Sequence, residues 1–255
     1  MSRTDLEAVV RKKYEDPAEV AEFAALAGQG LTHFEEALVG VFSSGDLVLD
    51  VGCGGGREAV PMARRGIRVV AMDLVPAMVL AARRYASAQG VMVLPVVASA
   101  AAPPFRNGVF DGVAMLGQVI AHVPDRAGRT GALRAVRQSL RPDGTLAMTT
   151  HNRRCHIKFR LYFSWVNAWR RLLRGLGLAS GLGDYDRWTA RISGAGSPAS
   201  VFFHMYDREE ALTDLRQAGF TVLQAKSRAE FEAGLDDPTG RDRDYLLGFL
   251  ATPSS

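Results

Sequence analysis

Residues 47–59, LVLDVGCGGGREA, run from an apolar stretch through an acid, Asp50, into a glycine-rich loop and then into a helix start. A five-residue run, LVLDV, apolar but for Asp50 and closed by glycines, reads as a buried strand. Two phosphate-binding readings of the loop fail. A dinucleotide fingerprint counted from Gly52 and Gly54 needs a third glycine at position 57, where Arg57 stands, and no Gly-Lys-Ser/Thr follows to make a P-loop. An anion at that helix start would also face the Asp50 carboxylate, a repulsion of about 1 kcal/mol or more at contact distance near a surface. The ligand of this loop is therefore expected to be cationic or zwitterionic at this end.

Working outward, strand-like runs recur at 68–72, 91–98, 110–116, 144–150, 221–227 and 245–251, and helical patterns fill 57–65, 76–89, 127–140 and 208–218. Near-continuous apolar strands separated by helices predict an α/β fold, a doubly wound, seven-stranded, mostly parallel sheet covered on both faces. Only the charged loop 228–244, with Asp236, Asp237, Pro238 and Gly240, separates the last two strands, so they are expected to pair antiparallel.

LDVGCGGG, with Asp73 closing the next strand 23 residues after Asp50, resembles the class I S-adenosylmethionine-dependent methyltransferase family. FDGVAMLGQVIAHVPD resembles that family's fourth-strand segment and LRPDGTLAMTTHNR its helix-to-fifth-strand segment. HMYDREEALTDLRQAGFTVL resembles the closing strand-helix-strand of its small-molecule members. The resemblance implies a Rossmann-like fold, S-adenosyl-L-methionine as cofactor and methyl transfer. It implies that Gly52, Gly54 and Gly56 let the backbone approach the ligand, that Asp50 serves its ammonium and that Asp73, with Leu74 beside it, takes the ribose hydroxyls. Family members often carry an acid after the third strand; Ser99 stands there, with the backbone of Ala100 beside it as a further adenine contact. Gln118 after the fourth strand and Tyr14 from the N-terminal segment complete the expected cofactor set. No metal is expected, since Cys53 and Cys155 lack any ligand spacing.

A hydroxyl acceptor would gain from a base, typically ~10²–10⁴-fold. Of the five histidines, His151 follows the fifth strand at the sheet's carboxyl edge and is the first candidate. His204, in VFFHMY, is the second, and His122 reads as a packing residue or a wall of the cofactor pocket. The chain divides into an N-terminal helical lid at 1–45, a cofactor-binding core at 46–151, a basic cap at 152–200 and a strand-helix-strand completion at 201–255. Within the cap, Leu161, Trp165, Trp169, Leu172 and Leu176 fall at helical spacing, and GLASGLGDY reads as a hinge.

Composition bounds the partners. The chain has 255 residues, 47% apolar and 23% charged, with net charge +4. Its positive charge concentrates at Arg153, Arg154, Lys158, Arg160, Arg170, Arg171 and Arg174, with no acid between Thr145 and Gly183. Such a segment attracts an acidic acceptor, rests at a membrane interface as a weak contact for a lipophilic acceptor, or is simply an amphipathic helix folded on the domain. No signal-peptide h-region or membrane span is read in the chain, and a cytoplasmic location is expected. The leading reading is transfer to O, N or C of a small-molecule acceptor of specialised or quinone-like metabolism, with no nucleic-acid partner. The alternatives are an RNA-modifying methyltransferase and a noncatalytic or non-methylating S-adenosylmethionine-binding protein.

Overall fold

The computed structural model describes residues 3–178, 182–189, 200–233 and 244–254. Asp236, Asp237, Pro238 and Gly240, and the centre of the GLASGLGDY hinge, lie outside the described residues. The strands are β1 (Leu47–Val51), β2 (Arg68–Asp73), β3 (Val93–Val97), β4 (Phe110–Met115), β5 (Leu140–His151), β6 (Asp186–Thr189), β7 (Val201–His204), β8 (Phe220–Ser227) and β9 (Leu246–Pro253). Seven of them form one sheet in the order β3-β2-β1-β4-β5-β9-β8, in which β9 runs antiparallel to both of its neighbours. This is the α/β arrangement expected from the sequence.

The helices are α1 (Arg3–Tyr14), α2 (Pro17–Leu26), α3 (His33–Val39), α4 (Ala59–Arg64), α5 (Pro76–Ala88), α6 (Arg126–Ser139), α7 (Ile157–Gly175), α8 (Arg208–Gln217) and α9 (Arg228–Ala233). Strand alternation builds a core on each face of the sheet. On one face Leu49, Val51, Val70 and Met72 meet Leu133 and Val136 of α6 and Leu215 of α8. On the other, Val48, Val69, Ala71 and Ala114 meet Leu38 of α3, Val60 of α4 and Val79 of α5. Each such Leu, Val or Met contributes about 1.5–3 kcal/mol by leaving water. Local signals set the helix starts: Asp16 accepts from the Ala18 amide just ahead of Pro17, Thr32 and Glu35 form a capping box, and Asp125 accepts from Gly128.

The strand order reverses between β1 and β4, so their carboxyl ends splay apart and open a crevice there. Strands β6 and β7 were not both anticipated. They pair antiparallel as a separate two-stranded sheet, which joins the cap segment to the segment after it. Leu6 and Val10 of α1 pack on Val201 and Phe202 of β7, drawing the N-terminal helix over the crevice. Helix α7 turns Phe163, Asn167 and Arg170 inward, whereas Leu161, Trp165, Trp169, Leu172 and Leu176 stand exposed. Its apolar stripe is therefore not core.

Candidate functional site

The crevice is a cavity of about 540 Å³, walled on the sheet side by Val51–Gly55, Met72–Val75, Ala98–Ala101 and Gly117–Val119. Its outer wall comes from Glu7, Val10, Arg11 and Tyr14 of α1, Phe23 of α2, His122, His151, Arg187, Phe203 and Tyr245. Of the residues named from sequence, Tyr14, Gly52, Gly54, Asp73, Leu74, Ser99, Ala100, Gln118 and His151 meet here; Asp50, Gly56 and His204 are not among its lining residues.

The glycine loop is shaped by contact. Gly52 has φ +75°, and a Cβ there would stand 2.3 Å from a Val119 methyl carbon. Gly55 leaves no room either, since a Cβ would meet the Phe23 carbonyl oxygen at 2.4 Å, so the end of α2 lies directly on the loop. Gly56 has a different task from the one expected. Its φ is +92°, and a Cβ would press on Ala82 of α5, so it permits helix packing rather than ligand approach.

Asp73 ends β2 at the cavity and fixes the loop through both carboxylate oxygens. Oδ2 accepts from the Gly54 amide at 3.0 Å and Oδ1 from the Val75 amide at 2.9 Å. A carboxylate has about four lone-pair sites, so it keeps acceptor capacity for a ligand hydroxyl beside these amides. Asp50 is 2% exposed behind the loop, and its Oδ2 has no hydrogen-bond partner among the described residues. Burial first, and then the charges of Glu58 and Asp73, push its carboxyl well above the ordinary range. Glu58, which the sequence reading missed, lines the cavity, and burial pushes it up to about 7. The nearby cation, Arg57, is already engaged by Glu35 at 2.5 and 2.7 Å, by the Gly30 carbonyl and by Glu58. An orphaned buried carboxylate oxygen, two further acids and a cradle that a Cβ would fill suit a ligand that brings an ammonium, a sulfonium and a ribose. These residues fit S-adenosylmethionine: Asp73 would hold the ribose and the Gly52–Gly54 backbone the methionyl chain. Glu58 and the buried Asp50 would supply the field for its positive charges.

Elsewhere the wall is tied by polar contacts. Ser99 Oγ accepts from the Ala101 amide at 3.2 Å, and Gln118, in the left-handed region at φ 59°, is held by Thr149. His122 Nδ1 donates to the Phe202 carbonyl at 2.9 Å, which leaves Nε2 to accept from the Tyr14 hydroxyl at 3.1 Å. This pair latches α1 across the mouth.

The two candidate bases differ completely in setting. His151 packs its ring 4.7 Å from that of Tyr245 and 5.5 Å from that of Phe203, and its Nδ1 has no partner among the described residues. Burial, with His122 and Arg187 adding to it, pushes the imidazole down to about 4, so it is neutral at physiological pH. His204 is 1% exposed, with Nδ1 2.8 Å from Asp186 and Nε2 3.0 Å from Glu210. With both nitrogens occupied by carboxylates it cannot take a proton from an acceptor, and it is corrected here to a structural cross-link. The basic segment is also largely committed inside the protein. Arg153 pairs with Asp207 and Glu210 and lies over the Tyr185 ring, Arg170 donates to two carbonyls, and Arg171 and Arg174 share Asp184.

A family model for the methyltransferase domain matches residues 48–144. A ubiquinone biosynthesis O-methyltransferase of Xanthomonas axonopodis pv. citri (strain 306) is 41% identical over 113 residues, 43% of this chain and 45% of that relative. The matched stretch thus spans under half the length of the curated relative. Among solved structures, a SAM-dependent methyltransferase from Methanosarcina mazei aligns with TM-score 0.64 and 18% identity over 88% of this chain and 99% of its own. The (4+2)-cyclase SpnF aligns with TM-score 0.65 and 18% identity over 96% of each chain. The residues that the family model matches carry the glycine loop, Asp73, Ala98–Ala101 and Gly117–Val119, so residues 48–144 are a methyltransferase domain of the S-adenosylmethionine-dependent class, whose cofactor is S-adenosylmethionine.

Proposed function

We propose that the chain transfers a methyl group to a hydroxyl oxygen of a small aromatic acceptor, with His151 taking the hydroxyl proton. Bound S-adenosylmethionine supplies an electrophilic methyl carbon on its sulfonium. The protein's own task is then alignment, which can contribute ~7–11 kcal/mol when the reacting atoms are held in line. Phe203, Tyr245 and the His151 ring offer flat apolar walls for an aromatic acceptor next to the glycine loop. Helix α1, latched by Tyr14 and His122, keeps water from the mouth. The single observation that carries the reading is His151: neutral, half-buried, lining the cavity, with a shielded ring nitrogen, Nδ1, that nothing among the described residues engages. The names of the curated relatives, O-methyltransferases of ubiquinone biosynthesis, favour oxygen over nitrogen or carbon and a small molecule over RNA.

The test is incubation of the purified protein with methyl-labelled S-adenosylmethionine and a panel of phenols and catechols, reading label in the organic phase and S-adenosylhomocysteine formed. Stoichiometric transfer to a hydroxyl supports the reading. Binding of S-adenosylhomocysteine with no transfer to any member would favour a non-methylating protein of this fold.

We further propose that the outer face of α7 rests weakly on lipid. Trp165 is 72% and Trp169 55% exposed, on a stripe with Leu161 and Leu172, and Lys158 and Arg160 lie nearby on the same helix. Co-sedimentation with anionic phosphatidylglycerol vesicles should fall when both tryptophans are replaced by serine. Equal sedimentation of the double variant would refute the contact.

A further inference from the structure

Arg187 carries a shielded guanidinium nitrogen that no group among the described residues engages. It sits on β6 opposite Phe203 of β7, with its Cζ 5.4 Å from that ring's centroid, and it lines the same cavity as His151 and Tyr245. Its Nε is fully shielded from solvent and has no hydrogen-bond partner, and no carboxylate forms an ion pair with it among the described residues. Its neighbours in the chain are treated otherwise: Arg153, Arg170, Arg171 and Arg174 each find acids or carbonyls. Trp188, next along β6, faces the opposite way and packs with Phe202 against α1, so strand alternation commits Arg187 to the cavity side. Arg187 as a whole is half-buried, and a shielded guanidinium N–H without an acceptor is costly unless a ligand completes it. The planar fork of guanidinium matches a carboxylate better than any other anion of acceptor size except phosphate.

We infer that Arg187 is an anion subsite for the acceptor, so the preferred substrate is an aromatic hydroxy acid whose carboxylate pairs with this side chain. This deepens the proposed transfer and rests on it. The acids of the cavity that would hold the cofactor, Asp73 and Glu58, lie on the β1–β2 side. Arg187 shares its wall with the candidate base His151, whose imidazole feels its charge. A carboxylate on Arg187 therefore sets the ring against Phe203 and Tyr245 and brings a ring hydroxyl toward His151. The cofactor's own carboxylate is the other anion that this cavity could receive, and the two sources must be separated by experiment.

The probes are benzoate and benzamide, nearly identical in shape and different in charge, titrated into the protein saturated with S-adenosylhomocysteine. Benzoate is expected to bind at least about tenfold more tightly than benzamide, the size of one charge-assisted hydrogen-bonded contact. Arg187→Met should erase that preference, and Arg187→Lys should keep part of it. Both variants should bind S-adenosylhomocysteine as the wild type does, and Arg187→Met without ligand should melt no lower, since it removes a shielded N–H that has no acceptor. Equal binding of the two probes, or a benzoate preference that survives in Arg187→Met, would overturn the subsite. So would a variant whose main loss is S-adenosylhomocysteine affinity, because Arg187 would then serve the cofactor. Absence of S-adenosylhomocysteine binding in the wild type would instead refute the methyltransferase reading itself.

Discussion

Replacing Asp73 tests the cofactor site most directly, because the residue has two separable duties. Its carboxylate receives the Gly54 and Val75 amides at 3.0 and 2.9 Å, and it faces the cavity with its remaining lone pairs. A hydrogen bond to a charged group is worth about 1.5–3 kcal/mol net, and a ribose diol would make up to two. Asp73→Asn retains the shape and one acceptor oxygen but loses the charge, and it turns an NH₂ toward a backbone N–H. We expect S-adenosylhomocysteine affinity to fall about ten- to hundredfold, or roughly 1.4–2.7 kcal/mol. The lost loop contact should also lower the melting temperature, by about 2–4 °C for each kcal/mol in a chain of this size. Calorimetric titration with S-adenosylhomocysteine and its 2′,3′-dideoxy analogue distinguishes the two duties. The wild type should discriminate strongly between them, and Asp73→Ala should hardly discriminate at all, as a thermodynamic cycle on a direct contact requires. A folded Asp73→Ala protein that still prefers the intact ribose as strongly as the wild type would show that the diol is bound elsewhere.

His151→Asn should lower turnover about 10²–10⁴-fold with S-adenosylhomocysteine affinity unchanged, and equal losses in both would make the residue a cofactor contact. Because His151 is held neutral down to about 4, the rate constant at saturation should show no acid limb near the ordinary histidine value of 6.5; a limb there, lost in His151→Asn, would contradict its desolvated setting. Glu58 titrates near 7, above the ordinary 4.5, so the folded protein holds that proton more tightly than the unfolded chain, and its contribution to stability falls as pH rises from about 4.5 to 7. A cationic ligand favours the ionised form. S-adenosylmethionine affinity should therefore rise between pH 6 and 8 with release of a proton, which calorimetry in buffers of different ionisation enthalpy will detect; a flat profile in wild type would remove Glu58 from the site. Gly52→Ala drives a Cβ to 2.3 Å from Val119, so it should abolish cofactor binding, and adding Val119→Ala should restore part of it. An active single variant would be incompatible with the loop geometry.

What the sequence disclosed depended on how local each signal was. The inner strands of the large sheet were legible because strands buried on both faces are near-continuous apolar runs, the half-exposed edge strands β3 and β8 by their β-branched residues and their place between helices and loops, and Asp73 because a strand-end acid beside a glycine loop is a short-range pattern. The β6–β7 pair was not, since Asp186–Thr189 is four residues of mixed polarity whose partner strand begins at Val201. His204 was misread for the same reason: the two acids that close on it, Asp186 and Glu210, lie on β6 and α8, and only the fold brings them within 3 Å. Gly56 belongs to the same loop as Gly52, yet it answers to Ala82 on α5, a contact that no spacing reveals. Arg187 carried no sequence signal at all; it gains meaning only from a shielded Nε that no group among the described residues engages.

The charges of the cavity also bear on the order of events. Asp73 and Glu58 line the glycine-loop side of the cavity with Asp50 buried behind them, three carboxyls that burial pushes up and that a cationic ligand would bring to the ionised form, while the opposite wall offers a neutral imidazole and a cation. A positively charged cofactor and an anionic acceptor would thus be drawn to different walls of one cavity, which orients them toward each other before any contact specific to the transition state forms. Methyl transfer abolishes the sulfonium charge, so the acids that favoured binding lose one of their partners at the moment the product forms. Because Glu58 sits close to its own titration point near 7, it can then take up a proton rather than remain ionised in a buried site beside other acids, where Arg57 is shared with Glu35. Product release would relax a buried negative charge that cofactor binding had compensated. On this account lowering the pH from 8 to 6 should weaken S-adenosylmethionine more than S-adenosylhomocysteine, and Glu58→Gln should bring the two ligands to the same pH dependence. Parallel slopes in the wild type would show that the acid wall does not distinguish the cofactor from its product.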